Sequence, residues 1–192
     1  CSFGQTNLDS LWAVWNDTIQ PDTTRLKAMH KIAWNGYLFS QPDSAYYFAQ
    51  LEYDFAKSKG LKKQMANALN TQGFNFYIRG DYASAIDYYS RSIAISKEIG
   101  DKKGIASSFN NIGVIYNNQG DYTSAIDYYT RSLTIFEEIG DKKGIASTLN
   151  SIGDIYNKQG NTAKAITYST RALTIAQDIG AAIEIRDAAN EL

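Results

Sequence analysis

A forty-residue repeat is the feature that most limits what this chain can fold into. Residues 81–120 and 121–160 align without a gap, and 29 of the 40 positions are identical. The repeat continues less clearly into residues 69–80 on one side and 161–180 on the other. Self-similarity at a fixed period of this length is typical of an array in which each unit packs on its neighbours. The 192-residue chain is therefore predicted to have one continuous core.

Each repeat contains two helical patterns. Within each pattern the apolar residues fall at alternating steps of three and four, which is the spacing of one helix face. This spacing excludes the four-stranded propeller blade, which has a similar period, and predicts a pair of helices in each repeat. The first face consists of Ile105, Phe109, Ile112 and Tyr116, and the second of Tyr122, Ile126, Tyr129, Leu133 and Phe136.

The string EIGDKKGIAS occurs at residues 98–107 and again at 138–147. A phosphate-binding loop requires G-x-x-x-x-G-K-[ST] between a strand and a helix, whereas here the lysines precede the second glycine and no strand pattern is near. Gly100 can adopt the left-handed conformation that ends one helix, and Asp101 can cap the next helix. We therefore interpret the string as a joint between helices, and Gly140 begins the same joint one repeat later.

Composition and charge exclude several function classes. The net charge of −1 gives no electrostatic case for nucleic acid, and no apolar run approaches the roughly 18–20 residues that span a bilayer. Any membrane contact would require segments absent from this sequence. His30 is the only histidine and Cys1 the only cysteine, so a zinc site or a Cys–His nucleophile cannot be built. We expect no catalytic residue, no metal and no cofactor, and hence no enzyme.

The anchor residues of the helix pairs resemble the tetratricopeptide signature W-x2-L-G-x2-Y followed by A-x3-F. The resemblance covers roughly residues 23–192, with a period of 40 instead of 34 and without the usual proline near the end of the second helix. It implies an all-α fold of helix-turn-helix repeats in a right-handed superhelix. The matching residues are Phe109, Ile112, Gly113, Tyr116, Ala125 and Tyr129, then Leu149, Ile152, Gly153, Tyr156, Ala165 and Ser169, with Leu69, Gln72, Gly73, Phe76, Ala85 and Tyr89 in the preceding copy.

The repeat divides the chain into segments. Residues 6–22 are predicted to form an N-terminal capping helix, and Trp12, Trp15 and Trp34 are predicted to close that end. We expect the truncated half-repeat to leave an apolar face exposed at Ile183, Ile185 and Ala189, which favours either a homodimer through the C-terminal end or poor order. The predicted repeats are 23–60, which is divergent, then 61–100, 101–140 and 141–180, with a half-repeat at 181–192.

The first residues and the long repeat together suggest a cellular context. Residues 1–5 have three interpretations: a boundary within a longer gene product, the remnant of a secretory signal, or a lipidated N-terminal cysteine. The long repeat resembles the extracytoplasmic arrays of bacterial sensor proteins, which precede a membrane helix and a histidine kinase, nucleotide cyclase or DNA-binding domain. That resemblance implies a periplasmic or extracytoplasmic location, with a cytoplasmic adaptor as the alternative.

Asparagine recurs at one position of the first helix, one residue after the large anchor. Asparagine is a poor residue for the interior of a helix, so its repetition requires a cause. At about 100° per residue the asparagines and their neighbours form a stripe that would line the concave groove of a tetratricopeptide superhelix. The stripe is aromatic at one end and amide-rich with an acid at the other, and it consists of Asn70, Phe74, Tyr77, Asn110, Val114, Asn117, Asn150, Asp154 and Asn157.

We expect this stripe to bind a protein or an extended peptide, because amide side chains both donate to and accept from a peptide backbone. The predicted function is a non-catalytic binding scaffold, the sensing region of a larger bacterial signalling protein. Two alternatives remain at this stage. Duplication alone can copy asparagines that bind nothing, and the array can be a structural spacer or an oligomerisation segment.

Overall fold

The computed structural model describes the backbone of residues 2–37 and 41–190, and the side chains of residues 8–34, 41 and 43–180. Within those backbone ranges there are nine α-helices and no strand, which confirms the predicted all-α repeat fold. The helices are α1 (Ser2–Asn16), α2 (Asp22–Lys31), α3 (Pro42–Ser58), α4 (Lys62–Ile78), α5 (Tyr82–Glu98), α6 (Lys102–Gln119), α7 (Tyr122–Ile139), α8 (Lys142–Lys158) and α9 (Thr162–Asn190), and a π-helical segment, Ile32–Tyr37, continues α2.

The joints between helices form as the glycine and aspartate pattern predicts. Gly100 and Gly140 both have a φ of 68°, the left-handed region that ends a helix without a Cβ penalty. The next residue caps the following helix: the Asp101 carboxylate accepts from the Gly104 amide at 3.2 Å, and that of Asp141 from the Gly144 amide at 3.1 Å. The repeated string is a helix joint.

The half-repeat predicted at 181–192 does not begin as a separate helix, and this expectation is corrected. The α9 helix runs without interruption from Thr162 to Asn190, and Gly180 has no positive φ. Ala181 follows this glycine, and alanine has no side-chain oxygen with which to cap a new helix. The side chains of Ile183, Ile185 and Ala189 lie outside the described residues, so the exposure predicted for them stays a prediction.

The chain divides into two compact units, residues 1–104 and 105–192. In the first unit, α1 packs on α3 through two edge-to-face ring pairs, Trp12 with Phe48 and Trp15 with Phe55, each with ring centroids 5.2 Å apart. No helix within the described residues is long and apolar enough to cross a membrane.

The second unit has a continuous apolar core between α6, α7, α8 and α9. Small residues let these helices approach closely: a Cβ on Gly113 would lie 2.7 Å from the Tyr129 ring, and one on Gly144 would lie 2.5 Å from the Phe136 ring. Each glycine is therefore matched to one large ring. The core members are Ala106, Ala125, Tyr129, Leu133, Phe136, Ile145, Leu149, Ile152, Ile155 and Ala172.

Candidate functional site

The forty-residue register places four residues at one position of the first helices. These are His30 on α2, Asn70 on α4, Asn110 on α6 and Asn150 on α8. The sequence comparison identified the three asparagines but missed the histidine, although counting back forty residues from Asn70 would have found it.

In the first unit the Asn70 amide bonds within its own helix pair. Its Nδ2 donates to Ser92 Oγ at 2.6 Å and to the Ala66 carbonyl at 3.2 Å. The Ser92 hydroxyl in turn donates to the same carbonyl at 3.0 Å, so the three groups link α4 to α5. This asparagine has a structural cause that does not require a ligand.

His30 makes the equivalent link with an ionisable partner. Its Nδ1 lies 3.2 Å from Glu52 Oε2 on α3, and Glu52 is only 1% exposed. Burial alone would lower the pKa of His30, but the hydrogen bond and charge of Glu52 together raise it above its ordinary value. Burial also raises the pKa of Glu52, and its interaction with His30 offsets that increase only in part.

The aromatic end of the predicted stripe is a cluster of half-buried rings in the first unit. Phe74 lies between Trp34, with ring centroids 5.0 Å apart, and Tyr77, at 5.4 Å. Tyr77 continues to Tyr82 at 6.1 Å. Trp34 belongs to the π-helical segment and stacks on His30 at 6.3 Å. The structure therefore brings Phe74 and Tyr77 together and adds Trp34, which the register of Phe74 also indicates.

In the second unit Asn110 lies in an open cleft between the neighbouring first helices α6 and α8. Its Oδ1 accepts from the Thr148 hydroxyl at 3.3 Å, and that hydroxyl also lies 2.8 Å from the Gly144 carbonyl. Asn110 and Asn111 are both half-buried, so part of each side chain faces the cleft. The cleft is lined by Ser107, Asn110, Asn111, Phe136, Gly144, Ser147 and Thr148.

At the acidic end of the stripe, Asp154 is ion-paired with the side chain of Lys158. Lys158 Nζ lies 2.7 Å from Asp154 Oδ2 and donates to Asn117 Oδ1 at 3.2 Å, so one lysine joins α8 to α6. Lys158 thereby offsets part of the charge of Asp154 at this end of the stripe. Val114 is half-buried and packs partly against the core of the second unit.

A second cleft lies between α8 and α9. It opens because Ser169 stands where the preceding repeat has Tyr129, so no ring fills the space beside Gly153. Asn150, Asp154 and Asn157 are all exposed there. The complete lining is Asn150, Gly153, Asp154, Asn157, Thr162, Ala165, Ile166 and Ser169.

Amide and hydroxyl groups dominate the polar lining of the two clefts, which suits hydrogen bonding to a peptide backbone. Across the described residues there is no group of three or more His, Cys, Asp or Glu side chains that could hold a metal ion.

Comparison with known protein families identifies the repeat. The family model described as tetratricopeptide repeat matches residues 64–138 and 104–178, which together make up more than half of the sequence. A comparison with curated proteins found no match.

Comparison with solved structures gives the same fold at low sequence identity. Aspartyl phosphate phosphatase F from Bacillus subtilis has a TM-score of 0.80 and 20% identity, with 92% of this chain and 49% of that chain covered. A Rap protein complexed with competence and sporulation factor has a TM-score of 0.77 and 19% identity, covering 92% and 51%. BtubC from P. vanneervenii has a TM-score of 0.71 and 20% identity, covering 92% and 72%. The chain spans about half the length of the first two, and the likeness establishes the fold alone.

Proposed function

Because the chain belongs to the tetratricopeptide repeat family, we propose that it is a non-catalytic scaffold that binds a protein or an extended peptide. The proposed site is the amide-lined face of the second unit, formed by α6 and α8. One observation carries the proposal: Asn110 and Asn111 lie half-exposed in a cleft whose other polar lining consists of three hydroxyl residues, Ser107, Ser147 and Thr148.

An extended peptide presents alternating N–H and C=O groups that a folded chain does not satisfy, and an amide side chain can pair with both at once. Asn150 and Asn157 add two exposed amides further along α8. The aromatic cluster of Trp34, Phe74 and Tyr77 in the first unit would contact apolar side chains. Both parts of the predicted stripe thus have a chemistry that fits a peptide or protein segment.

The similar structures support this class of function without fixing the ligand. One of them is a Rap protein complexed with competence and sporulation factor, so a protein with this fold binds a separate factor. The further proposal, that the scaffold is the sensing region of a larger bacterial signalling protein, rests on the resemblance of the long repeats. The full open reading frame would test it, by showing whether a membrane helix and an output domain are encoded.

The second candidate function is a structural spacer or an oligomerisation segment. A specific observation favours it: Asn70, Asn110 and Asn117 already bond to Ser92, Thr148 and Lys158. Asparagines used in this way can hold helices together with no ligand in the groove. The homodimer predicted through residues 181–192 belongs to this candidate.

A peptide array followed by titration of the strongest binders separates the two candidates. We expect the double variant Asn110→Ala, Asn150→Ala to weaken peptide binding by about tenfold or more, equivalent to about 1.4 kcal/mol. The matched control is Gln177→Ala, which removes an exposed amide from α9 outside both clefts. Equal affinity in the double variant and the wild type would favour the spacer.

A further inference from the structure

One face of α9, formed by Ile166, Ser169, Leu173 and Ala176, is exposed, whereas the equivalent face of α7 is largely covered. We call this face of α9 the stripe. On α7, Ile126 is half-buried and packs against the core that α8 completes, and Leu133 is 8% exposed there. One repeat later, Ile166 is 61% exposed and Leu173 is 58% exposed. A single exposed leucine needs no explanation, but two large apolar residues two turns apart on one helix face form a patch.

The stripe has the spacing of a coiled-coil seam. Ile166, Ser169, Leu173 and Ala176 follow steps of three, four and three, and all four side chains are exposed. Large and small residues alternate along it. The alternation arises because Ser169 and Ala176 stand where α7 has Tyr129 and Phe136.

This alternation makes the stripe complementary to itself in one antiparallel register. Two copies of α9 related by a twofold axis pair Ile166 with Ala176 of the second copy, and Leu173 with Ser169 of the second copy. Each large side chain then faces a small one in every layer, which is how packed helices fill the space between them. A symmetric interface of this kind uses the same patch on both subunits.

The charges around α9 permit this approach. Arg171, near the twofold axis, lies on another side of the helix and is ion-paired with Glu137 of α7. Asp178 is paired with Lys142 of α8 at 3.6 Å. Thr170 and Gln177, which border the stripe on the side away from α8, carry no charge. No charged residue therefore stands at the four seam positions or at the two positions that border them on this side.

We propose that α9 is a self-association surface, through which a second copy of this chain binds antiparallel along Ile166, Ser169, Leu173 and Ala176. It differs from the predicted contact at residues 181–192, because it uses the stripe that continues the buried face of α7. It also goes beyond peptide binding, since Leu173 and Ala176 line neither cleft, whereas Ile166 and Ser169 belong to both the seam and the cleft between α8 and α9. A seam of one helix pair is small, so we expect a weak dimer.

Sedimentation equilibrium over a range of concentrations tests the dimer. We expect the 192-residue chain to form dimers that Leu173→Lys weakens by about tenfold or more, because two lysines would then enter an apolar seam. Ile19→Lys is the matched control, since Ile19 is 91% exposed and lies in the first unit, and it should leave the dimer unchanged. A helical circular dichroism spectrum shows that each variant is folded.

Disulfide cross-linking tests the register. In a Cys1→Ser background, a mixture of Ser169→Cys and Leu173→Cys chains should cross-link readily, whereas Ser169→Cys alone should cross-link poorly. The proposal is overturned if the chain stays monomeric throughout the concentration range, if the dimer survives Leu173→Lys, or if Ile19→Lys disrupts it equally. Efficient cross-linking of Ser169→Cys to itself would overturn the antiparallel register.

Discussion

Residues at the same position of the forty-residue repeat have different roles in the two units. In the first unit, His30 and Asn70 both point to a polar residue on the paired second helix, Glu52 and Ser92. In the second unit, Asn110 instead accepts from Thr148 on the neighbouring first helix, and Asn150 is exposed in a cleft. A repeated residue therefore does not imply a repeated function.

The second-helix position opposite these residues explains part of the difference. It is Glu52, Ser92, Ser132 and then Ala172 along the chain. Ser132 keeps the helix-to-helix link of Ser92, because its hydroxyl donates to the Ala106 carbonyl at 2.8 Å. Ala172 has no polar group, so Asn150 is left to face solvent. The binding role proposed for Asn150 depends on that loss.

The packing of the helix pairs changes in the same direction. A Cβ on Gly73 would lie 2.9 Å from the Tyr89 ring, and one on Gly113 would lie 2.7 Å from the Tyr129 ring. At Gly153 the nearest atom is the hydroxyl oxygen of Ser169, at 2.8 Å. The last repeat thus lacks the ring that fills this position in the earlier ones, and the cleft between α8 and α9 opens there.

The largest effect is expected where the link is ionisable and buried. His30→Ala leaves the Glu52 carboxyl buried without its partner, and we expect a loss of about 2–3 kcal/mol in the free energy of unfolding at pH 6, below the ordinary His30 pKa of 6.5. Urea denaturation measures it. A loss below about 0.5 kcal/mol would mean that the pair contributes little, as for an exposed ion pair.

The same pair predicts a pH dependence. Both pKa values are raised on folding, so the folded chain keeps the shared proton to a higher pH than the unfolded chain. The contribution to stability is complete below the ordinary pKa values, 4.5 for Glu52 and 6.5 for His30, and is lost as the pH rises through the folded values.

The double variant His30→Asn, Glu52→Ser is the matched control for this pH dependence, because it installs the uncharged pair of the next repeat. We expect it to remove the decline in stability that follows as the pH rises above the ordinary pKa values of the pair. An unchanged pH profile in this variant would assign the decline to other groups.

The next effect compares two glycines of the second unit. Gly113→Ala places a methyl group against the buried Tyr129 ring, and we expect a net loss of about 1–3 kcal/mol. Gly153→Ala meets only a serine hydroxyl, which can rotate away, so the better helix propensity of alanine should leave stability unchanged or raised by up to about 1 kcal/mol. Thermal and urea denaturation of both variants provide the comparison, and equal losses would contradict it.

The smallest effect concerns the asparagines themselves. Asn70→Ala removes the bonds to Ser92 and the Ala66 carbonyl, and we expect a loss of about 1 kcal/mol. Asn150→Ala removes an exposed amide from a helix interior and should change stability by less than about 0.5 kcal/mol. If Asn150→Ala proved the more destabilising variant, Asn150 would have a structural role that removes the case for a ligand.

Much of the fold could be predicted from the sequence, because local chemistry fixes it. A glycine followed by a capping aspartate, as at Gly100 and Gly140, ends one helix and begins the next in the structure as in the prediction. The prediction failed at Gly180, where the glycine is present but the cap is not. A glycine without a capping residue after it did not end the helix, because residues of good helix propensity continue the helix beyond it.

The candidate site could be predicted less well, because side-chain partners come from distant parts of the chain. Helical periodicity placed the stripe on one face, but it could not show that Lys158 is ion-paired with Asp154 or that Val114 packs partly on the core. It also could not show the clefts, whose openings depend on which residue stands opposite, such as Ser169 in place of Tyr129.

The sequence by itself determined the repeat, the helix pairs and their joints, since these depend on residues within a few turns of one another. Only the tertiary structure decided which asparagines are used between helices and which are exposed, and which face of α9 stays uncovered. Those outcomes depend on residues of a neighbouring helix that lie about 20 to 40 positions away in the sequence. A helical pattern does not show which of these distant residues come into contact.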